Sequence, residues 1–217
     1  MHRDTMTTIS PYDQAPITYE HTVVTLLPKN DTNATAYVEG LAASATNHPY
    51  AFSTDGTFNE LHYEDAYDRF TAADTVTFGQ TDRNGAVVAA ALLSRHEGYI
   101  DIEDVYNNGP KGDGSRVMQA ALRYASGICD HVVIGILRGN ASIAEVYQRI
   151  GFVPYLESRD IIYLHLGDRA RIARAANILE AHNWDKSAIA ADENIPDLPS
   201  NVHRMPVAWL LGERQSF

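Results

Sequence analysis

One stretch, from Tyr99 to Phe152, constrains the fold of this chain more than any other. It opens with Tyr99-Ile-Asp-Ile-Glu-Asp-Val-Tyr106, in which acidic and aliphatic residues alternate with the period of a β-strand. A loop follows, Asn107-Asn-Gly-Pro-Lys-Gly-Asp-Gly114, and runs directly into a helical pattern from Ser115 to about Gly127. The apolar run His131–Leu137 reads as a second strand, and Asn140–Phe152 as a helix ending on a glycine. A strand, a glycine loop and a helix N-terminus together make a place for an anion. The first helical amides have no internal partner, and the helix dipole is positive there. Glycines let the backbone come close to a phosphate.

The rest of the chain supplies a sheet for this stretch to join. Residues 1–17 are polar with two prolines and are expected to form a flexible arm. Thr18–Leu27 is β-branched and reads as a strand, and Asp31 or Thr32 can cap a helix through about Ala45. Phe58–Ala73 reads as an amphipathic helix, with Leu61, Ala66, Tyr67 and Phe70 on its apolar side. Thr75–Gln80 and Gly85–Arg95 read as strands joined at Asn84-Gly85, a strong hairpin signal. Asp160–Leu166 is the last strand. The expected fold is α/β (α+β): a mixed, mostly antiparallel sheet flanked by helices over residues 18–166. Residues 167–217 form a helical extension, with Asp168 capping a helix through about Ala181 and Ile172, Ala175, Ala176 and Leu179 as its stripe. A short helix over Lys186–Ala191 and an apolar end containing Trp209 follow. That end should dock on its own domain or on a second subunit, as in a homodimer; both readings stay open.

Composition narrows the partners. The formal net charge is −11, which argues against a nucleic-acid or anionic-membrane surface and favours a cationic partner. No run reaches membrane-spanning length and no secretory leader pattern opens the chain, so a cytoplasmic protein is expected. The one cysteine, Cys129, sits among apolar residues and reads as a buried structural thiol. The nine histidines have no metal-ligand spacing, so no metal is expected, and no nucleophile elbow or nucleotide P-loop is present.

The Tyr99–Phe152 stretch resembles the core of the GNAT superfamily of acyl-CoA-dependent N-acetyltransferases. The family's R/Q-x-x-G-x-G/A loop matches Gly109-Pro-Lys-Gly112-Asp-Gly114, with Gly109 replacing the Arg or Gln and Asp113 an apolar residue. The family's N-x-x-A-x-x-x-Y-x-x-x-G-F helix matches at Asn140, Tyr147, Gly151 and Phe152, with Ile143 at the alanine position and Ala144 beside it. The resemblance implies acetyl-CoA as acyl donor and an amine as acceptor. Val105 would border the donor on the strand edge. Lys111, Gly112, Asp113, Gly114, Ser115 and Arg116 would surround its pyrophosphate, and Asn140 would bond the donor or cap its helix. Asp101 or Glu103 would be the base, and Tyr147 the acid toward the sulfur. Tyr50, Phe52 and Phe58 would border the acceptor, or else pack their loop. Two rival readings are a catalytically degenerate GNAT-like acyl-CoA-binding or interaction module, which Asp113 and Gly109 motivate, and a GNAT-like enzyme acting on nucleobases.

Overall fold

A computed structural model describes residues 17–19, 22–48, 52–53, 57–82, 84–110 and 112–180. Of the arm expected over residues 1–17, Ile17 instead opens the first strand; residues 1–16, Tyr50, Lys111 and 181–217, where the Lys186–Ala191 helix was expected and Trp209 falls, lie outside the described residues. Eight strands form one sheet: β1 (Ile17–Tyr19), β2 (Thr22–Leu26), β3 (Thr75–Thr81), β4 (Val87–His96), β5 (Tyr99–Asn107), β6 (His131–Leu137), β7 (Val153–Glu157) and β8 (Ile161–Gly167). Their order is β1-β2-β3-β4-β5-β6-β8-β7, and every pairing is antiparallel except β5 with β6. The single parallel step needs a crossover, which α3 (Asp113–Ile128) provides.

Helices cover both faces. α1 (Asp31–Asn47) and α2 (Glu60–Thr71) bury Tyr37, Leu41, Ala66 and Phe70 against Val87, Ala90, Leu92 and Tyr106. On the other face α3, α4 (Ala141–Arg149) and α5 (Arg169–Glu180) share one core with Ala91, Leu93, Ile100, Ile102 and Ile134. Ile172, Ala175, Ala176 and Leu179 of α5 belong to that core, so the helical stripe read from the sequence docks on this same sheet. No helix among the described residues is long and apolar enough to cross a membrane.

Local chemistry explains the boundaries. The cap of α1 is Asn30, not Asp31 or Thr32; its Oδ1 accepts the Asn33 amide at 2.9 Å. Asn59 caps α2 in a capping box with His62, so this helix starts two residues later than Phe58, and Leu61 faces solvent rather than the core. The single strand expected over Thr18–Leu27 is the β1–β2 hairpin. In the β3–β4 turn Asp82 accepts the amides of Asn84 and Ala86, which hold its carboxyl below the usual range, and Gly85 takes φ 85°. Gly151 has φ 111°, the left-handed value that ends a helix. The amides of Gly151 and Phe152 bond back to the carbonyls of Gln148 and Tyr147, the Schellman pattern. Asp168, with φ 50°, caps α5 through the Arg171 amide at 2.9 Å. Cys129 is buried, as its neighbours suggested, and burial pushes its thiol up to about 11.

Two irregularities shape the centre of the sheet. Leu92 pairs with Asp104 but Leu93 pairs with Ile102, so Glu103 is the extra residue of a β-bulge. Strict alternation would place Asp104 with Ile102 on the α3 face. The bulge instead sets Asp104 opposite Leu92, on the α1/α2 face. The parallel pairing of β5 with β6 also stops at Ile102–Ile134, although β5 runs on to Asn107 and β6 to Leu137.

Candidate active site

Where β5 and β6 part, a cavity of about 430 Å³ opens. It is lined from both faces of the sheet: Asp101, Glu103 and Asp104 meet it from the α1/α2 side, and Ile134, Ile136 and Tyr147 from the α4 side. Asp101 and Glu103 both reach this cavity, as the alternation of β5 suggested. Burial pushes the Asp101 carboxyl well above its usual range, and the charges of Glu103 and Asp104 add to the effect. Glu103 is raised too, mainly by burial, although Arg69 and a hydrogen bond from Ser94 pull the other way. Tyr99 is pushed up to about 12 by burial and by the same two carboxylates. His96 stacks on Tyr99 with ring centroids 4.6 Å apart. Its ring nitrogen and the carboxylates of Asp101 and Glu103 all lie within 4.8 Å of one another.

Asp104 and Arg69 complete the wall and the buried Tyr37 bonds to Asp104; sequence reasoning missed all three. One oxygen of Asp104 accepts from the Tyr37 hydroxyl at 2.7 Å and from Arg69 at 2.6 Å. Arg69 also faces Asp65, its helical neighbour, at 3.1 Å. These contacts tie α1, α2 and β5 together at the cavity. The signal existed only in part: Asp65 and Arg69 have helical i,i+4 spacing, but nothing local announces the bulge. Phe52 and Phe58 pack against the α1/α2 core, one of their two expected roles, and also line the cavity, as do Tyr155 and Tyr163.

Tyr147 is buried, packs edge-on against Phe152 at 5.5 Å, and lines the cavity. Burial raises its phenol well above 10, so it stays protonated. Asn140 lines the cavity as well. Its side chain makes no capping bond to α4, so of its two expected roles the capping one is absent. A single 3₁₀ turn, Arg138–Asn140, leads into that helix instead.

The glycine loop sits where β5 enters α3. Asn107 accepts the Gly109 amide at 3.0 Å, and Asn108 donates to the Gly40 carbonyl at 2.7 Å, which fixes the loop to α1. Gly112 has φ 107°, a conformation that favours glycine, and space is open beside it where a side chain would stand. Among the described residues no side chain caps the α3 N-terminus. The loop therefore suits a phosphate by the backbone-amide mechanism. Asp113 does not point at that space. It is 1% exposed and takes an ion pair from Arg116 at 2.7 Å.

This architecture is known in solved structures. A GCN5-related N-acetyltransferase from Brucella melitensis aligns with TM-score 0.57 and 15% identity, over 78% of this chain and 85% of that one. The chain has the GCN5-related N-acetyltransferase fold. A GNAT-family protein from Chromobacterium violaceum aligns with TM-score 0.53 and 17% identity, over 73% of this chain and 94% of that one. A spermidine N-acetyltransferase from Vibrio cholerae, solved with CoA and spermine, aligns with TM-score 0.51 and 14% identity, over 69% and 98%. No protein-family model matches the sequence, and no curated protein matches it. At such identities the likeness speaks for the GNAT fold; the chemistry rests on the residues.

Proposed function

We propose that the protein moves an acetyl group from acetyl-CoA to an amine by direct attack. The observation that carries this reading is the cavity at the parting of β5 and β6, with two raised carboxylates on one face and Tyr147 on the other. Acyl transfer to an amine needs a proton acceptor on the nucleophile's side and a proton donor on the leaving group's side, and the sheet separates these two jobs.

The acyl donor lies in the gap between the parted strands, along the edge at Val105. Its pyrophosphate rests on the amides of Gly112, Asp113, Gly114 and Ser115, with Lys111 and Arg116 adding charge. Asn140 bonds the donor near its thioester. The acceptor enters on the α1/α2 side, where Asp65, Asp101, Glu103 and Asp104 outnumber Arg69 and aromatic rings flank them. That lining favours a cationic amine. The ionised member of the Asp101–Glu103 pair takes a proton from the ammonium. The neutral amine forms the C–N bond and the C–S bond breaks; the surplus nitrogen proton passes to the departing sulfur, whose growing negative charge is held by a hydrogen bond from Tyr147.

The test is a panel of primary amines and lysine peptides incubated with acetyl-CoA, following free thiol. Amine-dependent thiol release is expected. CoA binding without release on any amine would return the protein to an acyl-CoA-binding module.

A further inference from the structure

Asp113 and Gly109 are the two departures of the glycine loop from the pattern it resembles, and the structure couples them. A Cβ placed on Gly109 would lie 2.6 Å from Asp113 Oδ2, so the aspartate fills the space that a side chain at 109 would need. Asp113 is the first residue of α3, where the dipole favours its charge. Its Oδ1 accepts from Arg116 Nη1 at 2.7 Å across one helical turn. Among the described residues Oδ2 has no hydrogen-bond partner although it is buried. A buried carboxylate with half its acceptors unused lowers stability unless something else is gained. Arg116, whose amide bonds the Gly112 carbonyl at 3.1 Å, keeps part of its side chain at the surface.

We propose that Asp113 is a positioning residue for the donor: it aims Arg116 at the phosphates, and this pair stands in for the cation or amide absent at Gly109. The inference rests on the acyl-CoA reading above. Its sign is unusual. An acid in a phosphate loop should repel the ligand, and removing it should tighten binding. A positioning acid does the reverse, because Arg116 loses its anchor.

The experiment is calorimetric titration of CoA into the full chain and into Asp113→Asn, Arg116→Gln and the double variant, with thermal unfolding of each. Asp113→Asn and Arg116→Gln should each weaken CoA about 10-fold, and the double variant should be no weaker than Arg116→Gln, the non-additivity of a coupled pair. A purely structural Asp113 would weaken CoA equally in the Arg116→Gln background, which overturns the proposal. Tighter CoA binding by Asp113→Asn overturns it as well. If Asp113→Asn does not fold, the decision passes to Arg116→Gln, where unchanged affinity overturns the proposal. Failure of the parent protein to bind CoA removes the acyl-CoA reading itself and this inference with it.

Discussion

Tyr147 illustrates how burial sets the role of a single side chain. A phenol raised above 10 by its apolar surroundings cannot hand a proton fully to a thiolate whose thiol titrates near 8.5. It can donate a hydrogen bond as charge builds on sulfur, and such a bond acts on turnover rather than on binding. Tyr147→Phe keeps the ring packed on Phe152, so CoA affinity should hold while kcat falls roughly 10- to 1,000-fold, measured by steady-state turnover beside direct binding. The carboxylates make a signed prediction. If Asp101 is the base, the acid limb of its pH–rate profile lies above the ordinary carboxylate range. Glu103→Gln then shifts that limb downward, because the Glu103 charge is one cause of the raised Asp101 value. Asp101→Asn should cost about 100-fold or more in rate. It should also raise the unfolding midpoint at neutral pH. A carboxyl whose folded pKa is raised favours the fold only below its unfolded value, and that contribution is lost as pH climbs through the folded value. A lower midpoint in Asp101→Asn would show that its charge is compensated in the fold.

Among the elements, β5 shapes the site and α5 the core. β5 works through its irregularity. The bulge at Glu103 turns Asp104 toward Tyr37 and Arg69, and the early end of pairing with β6 opens the cavity. α5 works through packing, with Ile172 fully buried between α3 and the sheet. Replacing Ile172 by Ala should lower stability by about 2–5 kcal/mol through lost transfer energy and a residual cavity. Chemical denaturation reads this directly, and a loss below about 0.5 kcal/mol would mean that α5 is dispensable to the core.

Over the whole molecule, one pair of rings beside the cavity wall, with His165 against Tyr155 and His131 paired to Tyr99, makes the fold sensitive to acid. His131 of β6 and His165 of β8 stack with a nitrogen–nitrogen distance of 3.0 Å, an arrangement that requires one neutral acceptor nitrogen. Burial, His131 and Arg171 lower His165 to about 4 from 6.5. The folded protein then binds fewer protons than the unfolded chain between those values, so stability falls as pH drops from about 6.5 toward 4. His165→Gln should flatten the pH dependence of unfolding free energy in that window, whatever its effect at pH 8. An unchanged slope would assign the acid sensitivity to other groups.

The order of strands and helices was legible along the chain because its causes are local. Alternation marked β5, the glycine at 151 ended α4 in a left-handed turn, and Asn84-Gly85 closed the β3–β4 hairpin. Asp101, Glu103 and Tyr147 were visible as candidates through the resemblance of this stretch to the GNAT core, with strand alternation placing the two acids on one face. Sequence could not place Asp104, because a bulge depends on the register of two strands and one extra residue reverses every face beyond it. It could not pair Asp104 with Arg69 and Tyr37, which stand 35 and 67 positions away. Nor could it tell that Asp113 lies under Gly109, since a missing Cβ leaves a space that only the folded loop reveals. The raised carboxylates belong to the same class. Residue type supplies the acid, but desolvation and neighbouring charge, which only tertiary packing creates, decide when it holds its proton.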